Sequence, residues 1–157
     1  ALAEFNVWLD PEAAQAVLDC NIPFTFVTLD ATHSAYVTIE DAARFRAIGT
    51  RPAEVVASLC EQRIAGYGEW QKVADVPAAP VHDPLTIAYL VDPTVITDIE
   101  DAPCVVDCGR GAAYGVTLFD IRNGRAEAKA PNCRVALKAD REKYVDILCR
   151  LLENTKK

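Results

Sequence analysis

Ala3-Glu4-Phe5-Asn6-Val7-Trp8-Leu9-Asp10-Pro11-Glu12-Ala13-Ala14 is the stretch on which the reading of this chain turns. Asp10 can cap a helix whose first residue is Pro11, with Glu12 placed where the helix dipole favours negative charge. The alanine-rich run that follows predicts helix to about Cys20. Just ahead of it, Glu4 and Asn6 put a carboxylate and a carboxamide two residues apart, and on an extended segment they share a side. An ionised carboxylate accepts hydrogen bonds while a carboxamide both donates and accepts, a combination suited to adjacent sugar hydroxyls. The same spacing is also met by a solvated glutamate and a turn asparagine, and spacing alone does not choose between them.

Working outward, Ile22 to Asp30 alternates aromatic or aliphatic residues with threonines and predicts a strand. Thr38-Ile39-Glu40-Asp41 fits a capping box, opening a helix that runs to about Ile48 and stops at Gly49. Pro52 begins a third helix toward Trp70, with Val55, Val56, Leu59 and Ile64 near helical spacing. Gln71 to Val81 is rich in proline, alanine and short polar residues and predicts a loop or lid. It leads into His82-Asp83-Pro84, which repeats the cap-then-proline order of Asp10-Pro11 and opens a buried helix over Leu85 to Val91. Strands are predicted near Cys104 to Cys108, Gly115 to Ile121 and Cys133 to Lys138. Asp98-Ile99-Glu100-Asp101 is predicted as a solvated connection, and a closing helix runs from Asp140 with an apolar stripe of Tyr144, Val145, Ile147, Leu148, Leu151 and Leu152. Mixed helix and strand favour an α/β layered domain.

The chain has 157 residues, 51% of them hydrophobic, enough for one domain with a real core. Its net charge of -7 repels phosphate backbones and anionic lipid, which argues against nucleic acid as a partner. Apolar runs fall far short of the roughly 20 residues that span a bilayer. The six cysteines are scattered, which points to a reducing compartment and to buried small hydrophobes. Cys104 and Cys108 would share a face of an extended strand, yet no second pair completes a zinc site. The chain contains no methionine and opens on alanine, so Ala1 is expected to be an internal boundary.

His82 can protonate a departing group, since an ordinary imidazole titrates near 6.5. A histidine before a helix is also a common structural residue, and Asp83 is either an N-cap or a metal ligand. Calcium takes six to eight oxygen ligands, so one aspartate supplies only part of a site.

Five ordered strings, Ala3-Glu4-Phe5-Asn6-Val7, Asp10-Pro11-Glu12-Ala13-Ala14, Asp30-Ala31-Thr32-His33, Val81-His82-Asp83-Pro84 and Gly115-Val116-Thr117 with Asp120 and Arg122, resemble segments of the calcium-dependent nucleoside hydrolases, the inosine-uridine-preferring family. The resemblance implies a single domain over 1–157, a partial Rossmann-like open sheet with helices that forms the C-terminal portion of that fold. It implies hydrolysis of the N-glycosidic bond of ribonucleosides, the chemistry of purine and pyrimidine salvage. By the same resemblance Glu4 and Asn6 bind ribose hydroxyls, Asp83 is one calcium ligand, and His82 faces the leaving base. Tyr67, with Trp70 as a competitor, lines the base pocket, and His33 is structural. The family's Asp-x-Asp-x-x-x-Asp-Asp cluster, which supplies further calcium ligands and activates water, has no counterpart in this sequence. The chain alone is therefore expected to be inactive, to expose a sheet edge and apolar surface, and to need the missing half or a partner chain; a homo-oligomer is also open. The alternative is a non-catalytic hydrolase-like subunit of a larger assembly. A simple ribose-binding module ranks third.

Overall fold

The computed structural model describes residues 2–69, 71–121 and 129–156. In chain order the elements are α1 Phe5–Leu9, α2 Pro11–Asp19, β1 Thr25–Val27, α3 Leu29–Ser34, β2 Tyr36–Thr38, α4 Ile39–Ala47, α5 Arg51–Tyr67 and β3 Ala78–Pro80. They continue with α6 His82–Val91, β4 Ile96–Ala102, β5 Cys104–Val106, β6 Thr117–Phe119, β7 Cys133–Ala139 and α7 Arg141–Glu153. Three strands form a sheet in the order β1-β7-β4, while β2 pairs antiparallel with β3 and β5 with β6. The class is the mixed α/β one expected. Contacts divide the chain into two compact units, Ala1–Phe26 with Ile99–Ala136 and Val27–Asp98 with Leu137–Lys157.

In the first unit the Asp10 side chain accepts from the Ala13 N–H and starts α2 as expected. Leu18, Cys104, Val106 and Cys133 form its buried cluster, with Val7, Ala14, Phe24, Phe26, Cys108 and Phe119 packed against them. The ring of Phe26 meets Phe24 and Phe119 edge-on at centroid separations of 4.5 and 5.1 Å. Gly115, at φ +82°, lies against α1: a Cβ there would stand 2.8 Å from Trp8 Cα.

In the second unit the capping box at Thr38 and Asp41 is complete, and Gly49 leaves α4 at φ +77°. The Asp41 carboxylate is buried, and Arg141 donates to it while its guanidinium lies 4.9 Å over the Tyr36 ring. Thr50 caps α5, and Asp140 caps α7. Phe45, Leu85, Tyr144, Ile147, Val37, Val95 and Val145 are the large side chains buried here. Beyond the end of α6, hydrogen bonds from Thr94 and then Lys143 hold the Asp92 carboxyl down at about 2.

Several expectations need correction. The predicted strand over Ile22 to Asp30 is only β1, because Leu29 already begins a helix. On α5 the buried residues are Ala53, Ala57, Cys60 and Ile64, whereas Val55 and Leu59 are exposed. Ile64 is buried as expected, while the rest of the buried face is made by the smaller Ala53, Ala57 and Cys60. The predicted loop over Gln71 to Val81 ends in β3, whose Ala78, Ala79 and Pro80 are all buried against β2. Residues 98–101 are strand and not loop: they lie in β4, at one end of the sheet order, where acidic side chains reach water. The helix over Leu85 to Val91 is buried at Leu85 and Ala88 but exposes Ile87, Leu90 and Val91. Cys108 lies past the end of β5, so the strand does not align it with Cys104. Burial pushes the Cys104 thiol up to about 12. Trp70 and Arg122 lie outside the described residues.

Candidate functional site

Only Glu4 of the expected pair has extended backbone, at φ -64° and ψ 145°; Asn6 lies in α1, which corrects their placement on one extended segment. Glu4 is the N-cap of α1, its Oε2 accepting from the Asn6 N–H at 2.8 Å and the Val7 N–H at 3.1 Å. Asn6 is therefore on the first helical turn, and the two side chains are not set on one side by a two-residue period. An extended N-cap backbone is what lets the Glu4 carboxylate reach the free N–H groups of the first turn, and this decides where α1 begins. One Glu4 oxygen is engaged in capping; Oε1 is left over, and the Asn6 side chain is exposed. Both retain hydroxyl-binding capacity.

The other candidates belong to the second unit. Helix α6 begins two residues earlier than the cap-then-proline order implies: His82 is its first residue and Val81 its cap, without a side-chain capping bond. The start is fixed from elsewhere in the unit, since the buried Tyr144 hydroxyl donates to the Val81 carbonyl at 3.0 Å. Pro84 sits in the first turn, where a missing N–H costs no helical bond. Asp83 is consequently not an N-cap. Its side chain is exposed in the first turn of α6, and among the described residues no hydrogen bond or ion pair engages its carboxylate.

The His82 ring is half-buried and its Nδ1 lies 2.8 Å from Thr32 Oγ1 on α3. The residue after that threonine, His33, has its ring centroid 5.9 Å from that of His82, and its Nε2 lies 3.1 Å from the Tyr67 hydroxyl at the end of α5. The expected pair of His82 and Tyr67 is thus brought to one cluster through Thr32 and His33. Burial lowers the His33 pKa against an opposing pull from Asp30, so the ring is neutral near pH 7. Burial likewise raises the Tyr67 phenol, with Arg63 opposing, and keeps it a donor. The Arg63 guanidinium stands 5.1 Å over the Tyr67 ring, and the hydroxyl also reaches Gln71 Oε1 at 3.4 Å. Two imidazoles and a phenol can donate to, accept from and stack on a heterocycle, while the buried Thr32 hydroxyl is engaged by His82 and the Leu29 carbonyl. Sequence reasoning gives Thr32 and His33 no part in binding or chemistry; the only signal for them is their place in the Asp30-Ala31-Thr32-His33 string.

Among the described residues, no group of three or more His, Cys, Asp or Glu side chains is placed to hold a metal. Asp83 supplies one carboxylate, well short of what calcium requires. These residues alone do not make up a calcium site.

The sequence model described as inosine-uridine preferring nucleoside hydrolase matches residues 1–146. The chain is 38% identical over 151 residues to the pyrimidine-specific ribonucleoside hydrolase RihA of Escherichia coli (strain K12), covering 96% of this chain and 47% of that protein. Among solved structures it is similar to a purine-preferring ribonucleoside hydrolase from Gardnerella vaginalis, with a TM-score of 0.79, 25% identity, and coverage of 98% of this chain and 48% of that one. It is also similar to a plant nucleoside hydrolase, the PpNRh1 enzyme, with a TM-score of 0.76, 25% identity, and coverage of 97% and 48%. The chain spans about half the length of the curated relatives it matches.

Proposed function

The chain belongs to the inosine-uridine preferring nucleoside hydrolase family, and from that premise we propose that it acts as the C-terminal portion of an enzyme that hydrolyses the N-glycosidic bond of ribonucleosides. The observation that carries this reading is the family match across residues 1–146, which takes in Glu4, Asn6, Tyr67, His82 and Asp83 together. In the reaction a water oxygen bonds to the ribose anomeric carbon as the C–N bond breaks, and the bonding pair leaves with the base. The base nitrogen takes a proton from His82. The water's proton passes to a general base outside this chain. Glu4 Oε1 and the Asn6 carboxamide hold ribose hydroxyls, and Tyr67 packs against the base.

A bound calcium ion would polarise the attacking water. Asp83 would be one ligand for it, the others coming from outside these residues. That Asp83 has no capping duty supports this assignment. Exposed Phe5, Trp8 and Leu9 on α1 support a partner surface in the assembled enzyme. The six unpaired thiols support a reducing compartment. Among the described residues no helix is long and apolar enough to cross a membrane. The relatives' names divide between pyrimidine and purine, so uridine and inosine are both test substrates.

The test is base release from each nucleoside by the full-length protein and by the 157-residue chain. Turnover by the first and none by the second is expected; an inactive full-length protein sinks the enzyme reading, and turnover by the chain alone sinks the division of labour. In the full-length protein Asp83→Ala lowers calcium affinity by titration calorimetry at least about tenfold, the lower end of what even an outer-shell partner contributes.

A further inference from the structure

Helix α3 is short, yet it carries two consecutive side chains that reach the two candidate ring groups of the site: Thr32 toward His82 and His33 toward Tyr67. The Thr32 contact is the more constrained. Thr32 is 3% exposed, and its hydroxyl is within hydrogen-bond distance of two partners, the Leu29 carbonyl at 3.3 Å and His82 Nδ1 at 2.8 Å. A hydroxyl has one proton. The carbonyl can only accept, so both contacts are hydrogen bonds only if the hydroxyl donates to Leu29 and accepts from a protonated Nδ1. The Tyr144 hydroxyl holds the adjoining Val81 carbonyl, so the first residue of α6 is pinned by backbone and by ring at once.

We infer that Thr32 is a positioning residue for His82: accepting the Nδ1–H bond, it sets the plane of the imidazole and makes Nε2 the nitrogen presented to the nucleoside base. The catalytic consequence rests on the N-glycosidase reading; the tautomer and the ring position do not.

Two measurements on the full-length protein decide the matter. Long-range 1H–15N correlation with 15N-labelled histidine, His82 being assigned by its loss in His82→Ala, is expected to show the neutral ring as the Nδ1–H tautomer. Thr32→Val removes the hydroxyl at nearly constant shape and is expected to abolish that preference. It lowers kcat by roughly 10- to 100-fold, the scale on which a small misplacement of a reacting group tells, with KM changed less than about threefold. Thr32→Ser, which keeps the hydroxyl, restores most of the loss. An Nε2–H tautomer in the unmodified protein, or a Thr32→Val variant with unaltered tautomer, overturns the inference, as does Thr32→Ser being as impaired as Thr32→Val. If Thr32→Val does not fold, the tautomer seen in the unmodified protein decides by itself. If the full-length protein has no nucleosidase activity, the enzyme reading falls while the spectra of the unmodified protein and the variant still uphold or overturn the positioning claim.

Discussion

His82→Ala in the full-length protein slows base release by about 10²- to 10⁴-fold, the usual contribution of a positioned general acid, and leaves KM within a few-fold. The split follows from the geometry. His82 is the first residue of α6, its ring tied at Nδ1 to Thr32 in the cluster that holds Tyr67, whereas Glu4 and Asn6, proposed to hold the ribose, stand at the start of α1. Removing the imidazole takes away the proton delivered as the C–N bond breaks, a change realised in the transition state and not in the bound nucleoside. A leaving group that is stable as an anion needs no such proton. A nitrophenyl riboside should therefore lose much less rate than inosine in the same variant. Equal losses on both substrates would mean that the ring only shapes the pocket, and a KM effect larger than the kcat effect would place it in ribose binding. Both are read from steady-state kinetics with the two substrates side by side.

The sequence makes legible what is decided within a few residues. Asp10, Thr38 and Asp140 all cap the helices they precede, because a cap needs only one side chain and the N–H groups two or three positions on. Caps mislead twice for the same local reason. Glu4 is missed as the cap of α1 because its own backbone is extended, as an N-cap's is, and Asp83 resembles a cap although the helix begins at His82, where Tyr144 fixes the Val81 carbonyl from 63 residues away. The face of α5 is only partly legible: Ile64 is buried, but Ala53, Ala57 and Cys60 make up the rest of it and do not stand out by hydrophobicity as the exposed Val55 and Leu59 do. β4 escapes notice because its acids mask the alternation of a strand at the end of a sheet order. The candidate site shows the same division. His82 and Asp83 stand out as a motif, while the Thr32 contact joins residues 50 apart and is written in no local pattern.

Gly115→Ala destabilises the protein by roughly 2–5 kcal/mol, combining about 1–2 for a non-glycine residue in the left-handed region with about 1–3 for forcing extra volume into a packed site. Gly115 sits at φ +82°, and its missing side chain leaves room for the backbone of α1: an added Cβ would approach Trp8 Cα to 2.8 Å and the Cβ atoms of Ala3 and Trp8 to 3.2 and 3.3 Å. Trp8 Cα cannot rotate away as a side-chain tip would, so the helix itself must shift. Its N-cap is Glu4 and its second residue is Asn6, hence any variant molecules that stay folded should also bind nucleoside more weakly, with KM raised more than kcat is lowered. Gly49 separates the two contributions. It has nearly the same backbone conformation, φ +77°, but nothing lies within 4 Å of the position a Cβ would take. Gly49→Ala should thus cost only the backbone term, about 1–2 kcal/mol, with KM unmoved. Urea denaturation of the two variants measures the difference directly. If Gly115→Ala costs no more than Gly49→Ala, the close approach of α1 to this glycine is wrong, and with it the reason for expecting the proposed ribose-binding residues to depend on a residue more than a hundred positions away in sequence.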